Sequence, residues 1–200
     1  MSNDGVNEGR RRFLTGATTV VGAVGVVGAA VPFVGSWNPS AKARAAGAPV
    51  RVNISSLEPG ARMTVEWRGR PIYIVRRTTE VLDNLTAERL TRQLRDPESE
   101  DSTQPAYVDP VTRSIRPEIL VMIGLCTHLG CAPLFRPEVG AQDLGGDDWL
   151  GGFFCPCHGS KFDLAGRVFR GVPAPTNLEI PPYTFESDTV LVVGLDEEAS

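Results

Sequence analysis

Histidine and cysteine are scarce in this 200-residue chain: two histidines and four cysteines, all six between Cys126 and His158. Any chemistry that needs imidazole or thiolate must therefore be done in that one stretch. Positive charge is also in deficit, since residues 47–200 carry 15 basic against 22 acidic side chains, net −7. This excludes a nucleic-acid partner, whose phosphates demand a basic surface. There is no GxGxxG, no P-loop and no internal repeat, so the usual phosphate cradles and solenoid folds drop out. From Phe13 to Pro39 charge is missing altogether. What remains, at 42% hydrophobic content, is enough for one ordinary globular domain with an appendage.

The appendage is N-terminal. Phe13–Trp37 is an apolar run of 25 residues, about 37 Å as a helix and so long enough to cross a bilayer core. It is built from Gly, Ala, Val and Thr with few Leu, and Arg10-Arg11-Arg12-Phe13-Leu14 comes immediately before it. That start resembles a twin-arginine export signal; an ordinary anchor obeying the positive-inside rule would be oriented the same way. Ala41-Lys42-Ala43 has the small-x-small look of a processing site, but the uncharged run exceeds the ~7 to 15 residues of a typical signal core, which favours retention. Residues 38–49 offer no large apolar group and read as a linker, either a passive tether or a segment able to switch between coil and helix.

The body reads as β with one helical region. Val50–Ile54, Met63–Trp67 and Pro71–Val75 alternate in the manner of strands, with Arg68-Gly69 as a hairpin turn. Leu82, Leu85, Leu90 and Leu94 recur at mostly helical intervals, with Thr79 as the expected cap, Glu80 in the first turn and Pro97 as the stop. Asp96–Asp109 reads as an acidic loop. Ile119–Gly124, Thr176–Ile180 and Thr189–Val193 are three further strand-like runs that would complete a small sandwich.

The chemistry lies in two near-duplicate segments, Cys126-Thr127-His128-Leu129-Gly130-Cys131 and Cys155-Pro156-Cys157-His158-Gly159-Ser160. Each can bring a thiolate and an imidazole to one centre. Two thiolates and two imidazoles are the ligand set of a Rieske 2Fe-2S centre, in which two histidines replace two cysteines on one iron. Cys131 and Cys157 remain, one in each loop, and can staple the loops together. Zinc is the rival: six potential ligands exceed its tetrahedral four, and C-x-H is not among its common spacings. Cys155-Pro156-Cys157 is not C-x-x-C, which disfavours a disulfide oxidoreductase.

These residues resemble the Rieske proteins of cytochrome bc complexes over nearly the whole chain. The resemblance implies a mainly β fold: an N-terminal transmembrane helix plus a Rieske-type antiparallel β-sandwich head with a small cluster-binding subdomain and one helical region. It divides the chain into a cytoplasmic twin-arginine segment 1–12, a transmembrane anchor 13–37, a flexible hinge linker 38–49 and a head 50–200, with the cluster-binding subdomain at about 124–170. Carried over position by position, it implies that Cys126 and Cys155 bind one iron and His128 and His158 the other. Cys131 and Cys157 would form a disulfide, Ser160 would donate to a bridging sulfide, and Leu129 would shield the cluster. Gly171-Val172-Pro173-Ala174-Pro175 would cover the cluster from a third side.

The implied activity is electron transfer within a quinol:cytochrome c oxidoreductase. One electron and a proton come from quinol, with His158 as the quinol contact, and the electron passes to a membrane-bound cytochrome c. The implied partners are the cytochrome b and cytochrome c subunits of a dimeric complex, quinol and the lipid bilayer. The implied location is the bacterial inner membrane, single-pass, with the head in the periplasm. Two departures from the family pattern stand out. Phe162 occupies a position where a tyrosine often bonds a ligand sulfur, and the 132–154 stretch is long, with Asp143–Asp148 expected as a surface insertion. An exported arsenite-oxidase-like subunit and a soluble Rieske ferredoxin are the rival enzyme readings, and a zinc-holding envelope protein is the non-redox one.

Overall fold

The computed structural model describes residues 5, 7–41, 43 and 47–195, in two compact units, residues 1–45 and 46–200. In the first, α1 (Glu8–Gly35) is a single helix of 28 residues whose N-cap, Asn7, accepts from the Arg10 amide at 3.0 Å. The arginine triplet thus lies inside the helix, and the chain turns at Ser36 rather than continuing to Trp37. Thr15, Thr18 and Thr19 return their hydroxyl protons to carbonyls four residues back, which satisfies them without water. None of its side chains is buried, and with a mean hydropathy of 2.0 it is long and apolar enough to cross a membrane. The linker expected over 38–49 includes residues 42 and 44–46, which lie outside the described residues.

The second unit is mainly β. Its strands are β1 (Val50–Asn53), β2 (Arg62–Trp67), β3 (Arg70–Arg76), β4 (Ile119–Ile123), β5 (Leu134–Arg136), β6 (Gly152–Cys155), β7 (Ser160–Asp163), β8 (Tyr183–Phe185) and β9 (Val190–Val193), joined by two short helices, α2 (Thr79–Leu85) and α3 (Glu88–Thr91). They form three antiparallel three-stranded sheets, β1-β9-β8, β2-β3-β4 and β5-β6-β7. The β2–β3 turn is the one the sequence announces: Arg68 and Gly69 both have positive φ, 53° and 71°, matching the twist of the strands they join. Central β3 buries Ile72 to Val75 without interruption, and β4 buries all five of its residues. The first strand of the unit closes on the last, Val50 opposite Val193.

Three expectations need correction. Thr176–Ile180 is not a strand, because its backbone bonds three separate segments instead of one ladder: Leu178 N to Gly166 O, Ile123 N to Glu179 O and Ile180 N to Thr103 O. Prolines at 175, 181 and 182 flank it and deny a regular ladder its donors. The cap of α2 is Thr78, whose hydroxyl accepts from the Val81 amide at 3.3 Å, not Thr79. The leucine periodicity breaks into two helices at Thr86–Ala87. The segment after α3 then docks on residues 168–170, Arg95 N bonding Val168 O and Arg170 N bonding Gln93 O. The short strands β5, β6, β7 and β8 carry too few residues for alternation to reveal them.

Charge holds the middle of this unit. Asp163 ends β7 fully buried and pairs with equally buried Arg167 at 2.7 Å, while accepting from the Ala165 and Arg167 amides. Arg77 and Arg113, also buried, reach the same turn: Arg77 donates to Leu164 O, and Arg113 to Ala165 O, Gly166 O and Leu178 O. Burial lowers both arginines to about 10, and Asp163 pulls them back up. They stay cationic at neutral pH, with Asp163 the one buried carboxylate among the described residues. Replacing Asp163 by Asn keeps the shape but strands three buried cations, and costs ~3 to 5 kcal/mol; the denaturant midpoint of the purified protein measures it.

Candidate metal centre

The sheet β5-β6-β7 is a mount for two loops. Loop 124–133 enters from β4 and leaves into β5, and loop 155–160 joins β6 to β7. The sequence duplication becomes a duplication of backbone: Gly130 N donates to Cys126 O at 2.9 Å and Gly159 N to Cys155 O at 3.0 Å. Each glycine has φ 78°, a conformation that penalises any side chain. Each loop is thus a tight turn that carries a cysteine and, two or three residues on, a histidine. Gly124 lets the first loop leave β4 across the Tyr73 ring, since a Cβ there would meet the ring at 2.5 Å, and the Tyr73 hydroxyl then bonds Pro133 O at 3.2 Å.

A disulfide joins Cys131 to Cys157 with 6.6 Å between Cα atoms. Cys126 and Cys155 remain as free, buried thiols. The His128 and His158 rings face each other edge to face at 4.7 Å between centroids. Nδ1 of His128 is buried with no hydrogen-bond partner, an arrangement that costs free energy unless something accepts that lone pair. Burial pushes the Cys126 thiol above its ordinary value, and the Cys155 thiol raises it further, while the His128 amide and the Ser160 hydroxyl bond the sulfur and lower it. Two thiols and two imidazoles on facing loops, with an orphaned ring nitrogen between them, suit a metal centre of mixed sulfur and nitrogen donors. The sulfurs of Cys131, Cys155 and Cys157 also lie within 4.8 Å of one another, but two of these are spent in the disulfide.

The third wall is residues 171–175, fastened to both loops: the Ala174 amide donates to Ser160 Oγ at 3.1 Å, and Thr127 Oγ1 donates to Thr176 O at 2.7 Å. Sequence reasoning named the 171–175 segment but missed Thr127, since the variable residue of C-x-H carries no signal of its own. Leu129 stands 70% exposed in the first loop and His158 is exposed in the second, so the site is open to solvent and partly apolar. Phe162 is wholly buried on β7 and shares a face with Ser160. Residues 143–148 lie largely at the surface, as expected, but they are pinned by buried Leu144 and the adjoining Trp149 and by a two-pronged Arg136–Asp143 pair at 2.9 Å.

Two family models match this chain, one described as the TAT signal of the ubiquitinol-cytochrome C reductase Fe-S subunit over residues 1–40, the other as the Rieske [2Fe-2S] domain over residues 92–183. The ubiquinol-cytochrome c reductase iron-sulfur subunit of Allochromatium vinosum is 59% identical, covering 98% of this chain and 93% of that protein. That of Rhodospirillum rubrum is 41% identical over 96% of each. Among solved structures, a chain of a hyperthermophilic respiratory Complex III aligns with a TM-score of 0.47 at 25% identity, covering 88% of this chain and 98% of that one.

The staple is separable from the free thiols and the imidazoles. Replacing Cys131 and Cys157 together by Ser leaves Cys126, His128, Cys155 and His158 in place but lets the loops part, a local loss of ~2 to 4 kcal/mol. The expected outcome is a centre that forms and decays faster than wild type, followed by the decline of visible absorption; an unchanged lifetime would show that the disulfide does not brace the loops.

Proposed function

Because this chain belongs to the family of ubiquinol-cytochrome c reductase iron-sulfur subunits, we propose that Cys126 and Cys155 hold one iron of its 2Fe-2S cluster and His128 and His158 the other. The observation that carries this assignment is the pairing of the cysteines. With Cys131 and Cys157 joined, Cys126 and Cys155 are the free thiols that remain, and each is followed by a histidine in a loop of the same backbone design. The cluster supplies a one-electron carrier whose potential depends on hydrogen bonds to its sulfurs and on solvent access.

The rest of the work falls to side chains. His128 turns its unpartnered Nδ1 inward, which leaves Nε2 to hold a proton. His158, exposed in its loop, meets the quinol hydroxyl and takes its proton, and Leu129 excludes water from the contact. Ser160 has a single proton; with Ala174 N–H donating to its oxygen, that proton is free for the cluster, where it would go to a sulfide. The head takes its electron from quinol at the cytochrome b subunit of a dimeric complex and delivers it to a membrane-bound cytochrome c. Helix α1 anchors it in the bacterial inner membrane, the head lies in the periplasm, and residues 38–49 are the hinge.

Electron paramagnetic resonance of the dithionite-reduced protein, with iron and sulfide analysis, tests the assignment. Alanine at Cys126, His128, Cys155 or His158 abolishes the signal, since each removes one of four protein bonds; a full signal in Cys126→Ala would refute the ligand set. Phe162→Tyr places a hydroxyl on the face shared with Ser160 and raises the reduction potential, because a bond to a ligand sulfur favours the more negative, reduced state. Such a bond is worth about 1.5 to 3 kcal/mol, of which a fraction survives in the difference between oxidation states. Protein-film voltammetry reads the change. No rise, with the hydroxyl seen within bonding distance of a cysteine sulfur, contradicts this account of the tuning.

A further inference from the structure

The disulfide has a third sulfur beside it. The Sγ atoms of Cys131, Cys155 and Cys157 lie within 4.8 Å of one another, and Cys155 is a free, buried thiol while the other two are bonded. Thiol–disulfide exchange needs this neighbourhood and no oxidant: one sulfur attacks, one bond forms and one breaks.

We propose that Cys155, whenever its sulfur is not engaged by the cluster, exchanges with the disulfide and takes Cys131 as its new partner. Sγ of Cys155 bonds Sγ of Cys131, the Cys131–Cys157 bond breaks, and its electron pair leaves on Sγ of Cys157, which takes up the proton that Cys155 gave up. Cysteine content and oxidation level are unchanged. Cys131 is the sulfur attacked for two reasons. The group expelled is then Cys157, which is exposed and leaves into water, where an anion is best solvated. Attack on Cys157 would instead close a disulfide ring around Pro156 alone, whose φ is fixed.

The consequence is an order of events. A Cys155 locked to Cys131 cannot bind iron, so the disulfide that braces a loaded head becomes a trap for an empty one. The cluster must be seated before the disulfide forms, and a cluster lost in an oxidising compartment cannot be replaced without a reductant. A chain whose first 40 residues match an export-signal model would meet these conditions in the required sequence, since disulfides persist outside the cytoplasm and not within it.

The inference rests on the reading of Cys155 as a ligand, and one preparation tests the two separately. The full chain is purified in detergent without thiol reagents, and its iron, sulfide and visible spectrum are recorded. Half is stripped with an iron chelator at constant pH, and both halves are then alkylated with N-ethylmaleimide and mapped by mass spectrometry. The expected result is Cys131–Cys157 alone in the loaded half. In the stripped half a Cys131–Cys155 disulfide becomes the major species, with Cys126 and Cys157 alkylated and a half-time that does not change on dilution. A stripped protein that keeps Cys131–Cys157, with Cys126 and Cys155 both alkylated, overturns the proposal. A Cys155–Cys157 product overturns the choice of sulfur, and scrambling that persists in Cys155→Ser overturns the choice of attacker. Starting material without iron and sulfide overturns the ligand reading instead, and exchange is then read directly on that protein.

Discussion

One carboxylate holds the head together. Asp163 stands at the end of the strand that begins with Ser160, and its oxygens are taken by two backbone amides and the Arg167 guanidinium. With that acid in place, Arg77 and Arg113 can stay buried beside it and donate to the carbonyls of residues 164 to 166. Arg167 in turn reaches Leu85 O at the end of α2 and Pro97 O. A turn whose carbonyls would otherwise be buried and unsatisfied becomes the point where β3, the 112–114 loop, α2 and the cluster-bearing strand meet. Apolar contact alone has no direction; these bonds do, and they fix where β7 ends.

The same economy appears in the two loops. A cysteine carbonyl accepts from a glycine four residues on, the glycine takes a left-handed conformation, and a histidine is carried to the same side. Doing this twice on one sheet gives two half-sites, and the Cys131–Cys157 bond joins them. The brace is covalent because the loops have little core of their own: Leu129, Pro156, Cys157 and His158 are exposed. A site that must be approached by a partner cannot be buried, so its rigidity comes from a cross-link and from the bonds that Thr127 and Ser160 make with the covering segment. Nearness of free Cys155 to that cross-link follows from the same compactness.

Much of this was legible in the residues. The scarcity of histidine and cysteine pointed to the site, and the β2–β3 hairpin was legible because Arg68-Gly69 must take positive φ. Other elements were not. Thr176–Ile180 has a strand's composition, yet its amides and carbonyls are claimed by three different neighbours, and composition cannot say how many partners a segment will have. Strands of three or four residues such as β5 and β8 are too short for a period of two to rise above chance.

The sequence by itself determined which donor types the two loops offer, because residue types and loop spacing are local properties, and it determined that residues 13–37 are apolar enough for a membrane. Tertiary structure alone decided that Arg77, Arg113 and Arg167 are interior residues sharing one acid. It alone decided that a third sulfur lies beside the disulfide. Each of these depends on distances between residues far apart in the chain, and those are set by how the sheets pack, a sum over many contacts that no short stretch of sequence contains.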